Sequence, residues 1–124
     1  KKDILLEGVE FRRVLFRSKK DILLEGVELG VHVEHNVTNI DEEEYEVILI
    51  TTVSDKNENI YVNVKGKAIF HTQQKNMDML EKNTIAIMFP YIRSYISIIT
   101  TQPGMAPIVL PAMNIIAMIN DQKM

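Results

Sequence analysis

The sequence predicts an α+β fold in which helices pack on one face of an antiparallel β-sheet. Three segments, 27–38, 45–53 and 60–70, alternate apolar and polar residues with the period of two that buries one side of a strand. A later segment, 84–102, repeats its apolar residues with the period of an α-helix. The connections between the strand segments are short and polar, which favours an antiparallel meander.

The predicted strands differ in how many of their faces are apolar. The first places valine and leucine on one face and polar residues on the other, which predicts one buried and one solvated face. The second has Ile48 and Ile50 on the face opposite Leu49, so we expect an interior strand that is covered in part on both sides. In the third strand, Gly66 indicates a bulge or a close approach.

Residues that commonly cap helices divide the next part of the sequence into two helices. Asn76 or Asp78 can cap a short helix that ends at Lys82. A longer helix then begins with its own cap, at Asn83 or Thr84, and ends before a Pro-Gly pair.

The longer helix carries more apolar surface than one sheet can cover. Its first apolar stripe consists of Ile85, Met88, Phe89, Ile92, Ile96 and Ile99, and its second stripe consists of Ile87, Tyr91, Tyr95 and Ile98. Because one sheet covers one face, we expect this helix to pack on a second subunit as well. The residues expected in the oligomer interface are Ile87, Tyr95, Ile98 and Ile99. Pro90 lacks a backbone N–H, so we expect the helix to bend there.

The composition fits one soluble domain. The chain has 124 residues, 46% of them hydrophobic, and no cysteine, which predicts a reducing, cytoplasmic compartment and no thiolate metal site. It lacks a run of 18 apolar residues, and its first residues lack the pattern of a signal peptide, so we expect neither a membrane span nor an export signal. The formal net charge of −3 disfavours nucleic acid as a partner.

The first 18 residues look foreign to the domain. The segment KKDILLEGVE occurs identically at 1–10 and at 19–28. Solenoid repeats diverge and have longer periods, so this is not a repeat architecture. The spacer at 11–18 resembles the translation of a sequencing adapter. We therefore interpret 1–18 as an artefactual segment and 19–124 as the domain. The alternative is a genuine amphipathic arm.

Residues with catalytic or metal-binding chemistry form no recognisable site in the sequence. His32 and His35 lie three residues apart in a predicted strand, so their side chains point to opposite faces and cannot share a metal ion. Four consecutive carboxylates at 41–44 are typical of a solvated turn and lack the spacing of a calcium loop. Nucleophile elbow, P-loop and dinucleotide motifs do not occur. The sequence therefore predicts no metal, no cofactor and no enzyme.

Apolar residues also dominate the C-terminal part. The segment MAPIVLP at 105–111 is too apolar for a solvated loop and too rich in proline for a helix, so it should lie against another surface. A brief amphipathic helix is predicted at 114–120. With the second helical stripe and seven methionines, this composition predicts a binder of apolar chains or an oligomer core. The alternative is that these side chains fill the protein's own core.

Two motifs resemble the family of the bacterial protein-export chaperone SecB. They are Phe-Pro-Tyr-Ile-Arg at 89–93, within the long helix, and Pro-Ile-Val-Leu-Pro at 107–111, followed by Asn114. The resemblance implies an α+β fold with a four-stranded antiparallel sheet and helices on one side. It also implies a homotetramer, built as a dimer of dimers, that uses neither a cofactor nor ATP.

The resemblance implies a function in protein export and a set of site residues. Members of this family hold unfolded preproteins in apolar grooves and pass them to the translocation motor SecA. The residues that match the substrate-binding groove are Phe89, Tyr91, Met105, Ile108, Val109 and Leu110. For Phe89 and Tyr91, a place in the core or in the subunit interface is the alternative.

The sequence departs from the family in two places. The family's first strand should precede Val27, so that strand is either missing, leaving three strands and an unpaired sheet edge, or replaced by 1–18. Acidic residues that dock SecA lie on that strand and near Asn63, which is neutral here. These departures favour an alternative, a SecB-like chaperone dedicated to one partner such as an antitoxin. A third hypothesis, a small hydrolase or ligand-binding domain, requires a closed polar pocket.

Overall fold

The protein is an α+β domain in which one long helix packs on a four-stranded antiparallel sheet. The computed structural model describes residues 4–18, 28–56, 60–101 and 108–110. The elements in these ranges are β1 (Ile4–Ser18), β2 (Leu29–Asp41), β3 (Glu44–Asp55), β4 (Ile60–Thr72) and α1 (Met77–Ile99). The strand order in the sheet is β1-β4-β3-β2. The predicted fold class is confirmed.

The three strands expected from the alternating pattern form the meander β2-β3-β4. β3 lies between the other two, and along it buried and half-buried residues alternate without interruption. Leu49 points toward the helix and is fully buried, whereas Ile48 and Ile50 are half-buried on the outer face. The interior position predicted for this strand is therefore correct. The turn between β2 and β3 is exposed, and its Glu43 adopts a φ of 62°.

The fourth strand is formed by residues of the N-terminal segment 1–18. β1 lies at the sheet edge and pairs with β4 from Ile4 opposite Thr72 to Ser18 opposite Ile60. Of the two alternatives for the family's first strand, replacement by 1–18 is correct and a missing strand with an unpaired edge is wrong, because the apolar residues of this segment recur with a strand period along most of its length. Two register shifts interrupt the pairing, after Leu6 and after Phe11. The foreign origin of this segment remains a prediction.

The core lies between α1 and the inner face of the sheet. Gly66, on β4, lets the helix approach closely, since a Cβ atom at this position would lie 3.3 Å from Cδ1 of Ile92. The close approach indicated by this glycine is confirmed, and the neighbour is the helix. The buried apolar residues of the sheet and helix are Val33, Tyr45, Val47, Leu49, Val53, Ile60, Val62, Val64, Ala68, Phe70, Leu80, Ile85, Met88, Phe89, Ile92 and Ile96.

One continuous helix replaces the two that the capping residues predicted. Asn76 caps it as expected, because its side-chain oxygen accepts hydrogen bonds from the backbone N–H groups of Asp78 (3.0 Å) and Met79 (3.2 Å). A second cap at Asn83 or Thr84 is wrong. The Thr84 hydroxyl donates to the Leu80 carbonyl one turn earlier (2.6 Å), which satisfies the side chain inside the helix.

The described C-terminal residues, 108–110, lie against the end of α1. The backbone N–H of Ile108 donates to Oγ1 of Thr100 (2.8 Å), and the Ser97 hydroxyl donates to the Ile108 carbonyl (3.0 Å). These bonds hold part of the apolar loop on the domain, as its composition predicts. The predicted final helix at 114–120 lies outside the described residues. Within the described ranges, no helix combines the length and apolar character that a membrane span requires.

Candidate functional site: an apolar groove beside the helix

The second apolar stripe of α1 is not covered by the sheet. Tyr91 is 52% exposed and Ile98 is 67% exposed, while Ile87 and Tyr95 are half-buried. The first stripe, by contrast, packs against the sheet. The helix therefore has the surplus of apolar surface that its sequence predicts, and this surplus faces outward from the protomer.

An open apolar groove runs between this stripe and the edge strand β1. We call it the α1–β1 groove, and its lining residues are Val9, Phe11, Tyr91, Ser94, Tyr95 and Ile98. Its volume is about 280 Å³. The rings of Phe11 and Tyr95 stack with their centroids 4.0 Å apart and an interplanar angle of 12°. The groove thus offers aromatic and aliphatic surface to an apolar chain, with the Ser94 hydroxyl as a polar group in the lining.

The residues expected along a client groove separate into two groups in the structure. Phe89, Ile108 and Leu110 are buried members of the protomer core. Tyr91 lines the α1–β1 groove, and Val109 is 72% exposed beside its buried neighbours. Met105 lies outside the described residues. For Phe89, its burial matches the alternative of a core residue.

The residues expected in the oligomer interface also differ in their surroundings. Ile87 and Ile99 are half-buried and pack against the protomer core. Tyr95 stacks on Phe11, and Ile98 is the most exposed of the four. The face around Ile98 is therefore the part of the stripe that a second subunit or a client reaches most directly. Their role in an interface remains a prediction.

The outer face of the sheet, opposite α1, carries a basic region around Asn63. The Arg13 guanidinium donates from Nε to Oδ1 of Asn63 (3.1 Å), and Asn63 donates from Nδ2 to the Thr52 hydroxyl (2.9 Å). The Arg17 guanidinium lies 4.9 Å from the centre of the Tyr61 ring. The arginines of this region would repel a basic docking segment, whereas acidic residues in the same place would attract it.

The histidines lie apart from the α1–β1 groove. His32 is 3.3 Å from a Glu34 carboxylate oxygen on the outer face, and His35 on the inner face is 3.6 Å from Glu81. The two therefore point to opposite faces, as predicted. His71 approaches carboxylates of β1 and β3. In the described parts of the chain, no group of three or more histidine or carboxylate side chains is arranged to hold a metal ion.

Comparison with known proteins places the chain in a family. The family model described as preprotein translocase subunit SecB matches residues 3–124. The chain belongs to the SecB family. The resemblance found in the helix motif and the proline-rich loop is thereby confirmed.

Two curated relatives match part of the length of this SecB-family chain. It is 29% identical over 102 residues to the protein-export protein SecB of Methylobacillus flagellatus, a match that covers 77% of this chain and 65% of the relative. It is 33% identical over 63 residues to an uncharacterized protein of Methanocaldococcus jannaschii, covering 48% of this chain and 41% of the relative. The chain thus spans less than two thirds of the length of either relative.

Solved structures share the fold of this SecB-family chain. The Mycobacterium tuberculosis SecB-like chaperone, in complex with a ChAD peptide from the HigA1 antitoxin, matches with a TM-score of 0.71 and 13% identity, covering 89% of this chain and 87% of that one. A protein of unknown function from Streptococcus agalactiae matches with a TM-score of 0.55 and 10% identity, covering 90% and 98%. At these identities the likeness concerns the fold alone.

Sequence reasoning missed half of the groove lining in this SecB-family chain. Val9 and Phe11 lie in the segment set aside as foreign, although their apolar spacing along 4–11 was a usable strand signal. Ser94 also lines the groove. Its polar side chain gave no signal that it lies between two tyrosines of an apolar groove.

Proposed function

We propose that this chain is an ATP-independent holdase that binds unfolded preproteins through apolar grooves and keeps them competent for export. The observation that carries the proposal is the outward-facing second stripe of α1, where Tyr91 and Ile98 expose half or more of their surface beside the α1–β1 groove. Membership of the SecB family supports it. We assign the chain no catalytic activity and no cofactor.

The physical basis of such binding is apolar burial repeated over several sites. Burying apolar surface contributes about 25 cal/mol per Å². A groove of this size therefore binds one short segment weakly. We propose that the chain assembles as a cytoplasmic homotetramer, in which several grooves engage one long client and their affinities combine through effective concentration.

The test of the holdase function is suppression of aggregation by the full chain. Purified protein is mixed at stoichiometric ratio with a protein diluted from denaturant, without ATP, and light scattering is followed. We expect scattering to fall as chaperone is added, and native mass measurement to give four chains per particle. Undiminished scattering at stoichiometric ratio would remove the holdase proposal.

A second candidate function is a chaperone dedicated to one partner, such as an antitoxin. The basic region around Asn63 favours it, because Arg13 and Arg17 lie where the resemblance implies a docking acid for SecA. The match in fold to a SecB-like chaperone that was solved with an antitoxin peptide also supports this candidate. Titration with SecA separates the two functions. Saturable binding of SecA supports the export function. If SecA does not bind and a partner encoded nearby binds tightly, the dedicated function is supported.

A further inference from the structure

Three cations of the basic region around Asn63 carry charge that no acidic side chain offsets. Arg13 and Arg17 lie on β1, Lys65 lies on β4, and all three point to the outer face of the sheet. Within the parts of the chain that the structure describes, none of them forms an ion pair. Arg13 and Lys65 are directly opposite each other, and like charges in that arrangement repel. An anion bound between them would therefore stabilise both.

Neutral side chains hold the two arginines in place. Nε of Arg13 donates to Oδ1 of Asn63 (3.1 Å), and the buried Asn63 amide in turn donates to the Thr52 hydroxyl (2.9 Å). The Arg13 contact uses Nε alone, so the two terminal nitrogens remain for the two oxygens of a carboxylate. The Arg17 guanidinium lies over the Tyr61 ring, which leaves the N–H groups at its edge available. Both arginines are thus positioned for an acidic partner before it binds.

Apolar side chains lie between these cations. Leu15 lies midway between Arg13 and Arg17 on the outer side of β1 and is 43% exposed. Ile50, opposite Lys65 on β3, is half-buried on the same face. At about 3.3 Å per residue, the two arginines stand about 13 Å apart along the strand. This surface therefore suits a segment that carries carboxylates on both sides of an apolar residue.

Neighbouring cations on the same face are already paired. Arg12 lies 3.3 Å from a carboxylate oxygen of Glu10, and Lys67 lies 3.4 Å from one of Glu46. The unpaired positive charge is thus confined to one part of β1 and β4. A nucleic acid carries phosphates along its whole length, so it would continue past these carboxylates and be repelled. A short protein segment with a few carboxylates fits the limited extent of the region, and the net charge of −3 also disfavours nucleic acid.

We propose that the basic region around Asn63 is a docking site for an acidic segment of a partner protein. Carboxylates of the segment pair with Arg13 and Arg17, and an apolar residue between them packs on Leu15. The site lies on the face of the sheet opposite α1, so a client in the α1–β1 groove and this partner can bind together. The inference goes beyond the proposed holdase function and does not depend on it. Since both arginines belong to 1–18 and Lys65 does not, the test changes each group separately.

The first experiment compares an acidic peptide with its neutral counterpart on the full chain. The fluorescent peptides are Gly-Glu-Asp-Leu-Glu-Asp-Gly and Gly-Gln-Asn-Leu-Gln-Asn-Gly, titrated by anisotropy at about 0.1 M salt, where charges more than about 10 Å apart are largely screened. We expect the acidic peptide to bind at least about tenfold more tightly. Arg13→Gln with Arg17→Gln should weaken its binding at least about tenfold, and Lys65→Gln about threefold.

The matched control removes two cations whose charge is already offset. Arg12→Gln with Lys67→Gln changes the net charge of the chain by the same amount and alters the same two strands. Because these cations are paired with Glu10 and Glu46, the control should weaken binding of the acidic peptide by less than about threefold. A difference between test and control therefore reports on the unpaired charge and not on the overall charge.

The second experiment neutralises Arg13 without removing any cation. Asn63→Asp is nearly isosteric and places a carboxylate oxygen where Oδ1 of the amide now accepts from Arg13. We expect this variant to bind the acidic peptide at least about threefold more weakly, because its own carboxylate competes for the guanidinium. Asn36→Asp is the control, since it adds the same charge at an exposed position of β2 on the outer face and should bind like the unchanged chain.

Two results would overturn the inference. One is equal binding of the acidic and neutral peptides by the unchanged chain, which requires no variant to fold. The other is equal losses in the test and control variants that keep the circular dichroism spectrum of the unchanged chain. Tighter binding of a fluorescent oligothymidylate, lost in Arg13→Gln with Arg17→Gln, would assign the region to nucleic acid and overturn it as well. Suppression of aggregation tests the holdase function separately, so either proposal can fail without the other.

Discussion

Thr51 places a hydroxyl group in the core of the domain, facing the helix. Its side chain is fully buried, and within the described residues its Oγ1 has no hydrogen-bond partner. An unsatisfied buried hydroxyl costs about 1–3 kcal/mol. We expect the nearly isosteric Thr51→Val to raise the free energy of unfolding by about 1 kcal/mol in urea denaturation. The control is Thr72→Val, which removes an acceptor used by the backbone N–H of Gln74 and should destabilise. Equal losses from both would contradict the account.

Gly66 is required because the helix leaves no room for a larger residue. A Cβ atom there would already lie 3.3 Å from Cδ1 of Ile92, and further methyl groups would enter the same space. We expect Gly66→Val to lower the free energy of unfolding by about 2 kcal/mol. Gly30→Val is the control, since the nearest atom to its Cβ is 3.8 Å away at the sheet edge. Similar unfolding midpoints for the two variants would show that the close approach does not matter.

At the scale of elements, the start of α1 depends on one side chain. Asn76 accepts hydrogen bonds from two of the first free N–H groups of the helix. We expect Asn76→Ala to cost about 1 kcal/mol of stability, measured by thermal unfolding. The exposed neighbour Lys75, changed to alanine, should have little effect. If only Lys75→Ala lowered the stability, Asn76 would not be the residue that caps the helix.

Patterns within a single segment of the sequence were enough to predict the three strands of the meander and the start of the helix. Alternation found the meander, and residue type found the cap at Asn76. The same reasoning wrongly divided α1, because Thr84 suits a cap and a back-bonded helix position equally and only the Leu80 carbonyl decides between them. Phe11 and Tyr95 stack although they lie far apart in sequence, so the groove depends on tertiary pairing that no single segment encodes. Because residues 1–18 were interpreted as foreign, the strand pattern of Val9 and Phe11 was not used to predict the groove.

For the whole molecule, the exposed stripe of α1 should matter for binding and little for folding. Tyr91 and Ile98 are more than half exposed, so Tyr91→Ser with Ile98→Ser should leave the unfolding midpoint of the protomer nearly unchanged. We expect affinity for a permanently unfolded protein to fall about tenfold in a fluorescence titration, since two apolar anchors are lost. Met77→Ser with Met79→Ser is the control, because these residues are similarly exposed at the other end of the helix. An equal loss of affinity in the control would mean that unfolded proteins bind any exposed apolar residues of the helix and not this stripe in particular.

The central claim is that unfolded chains bind to the outward stripe of α1, and site-specific photo-crosslinking tests it most directly. A photoreactive residue is placed at Ile98 on that stripe, or at the exposed Asn36 on the outer face of the sheet, and a permanently unfolded protein is added before irradiation. We expect abundant crosslinks to the unfolded protein from position 98 and few from position 36. Crosslinks to the unfolded protein mainly from position 36, or crosslinks from position 98 only to a sister subunit, would contradict the account.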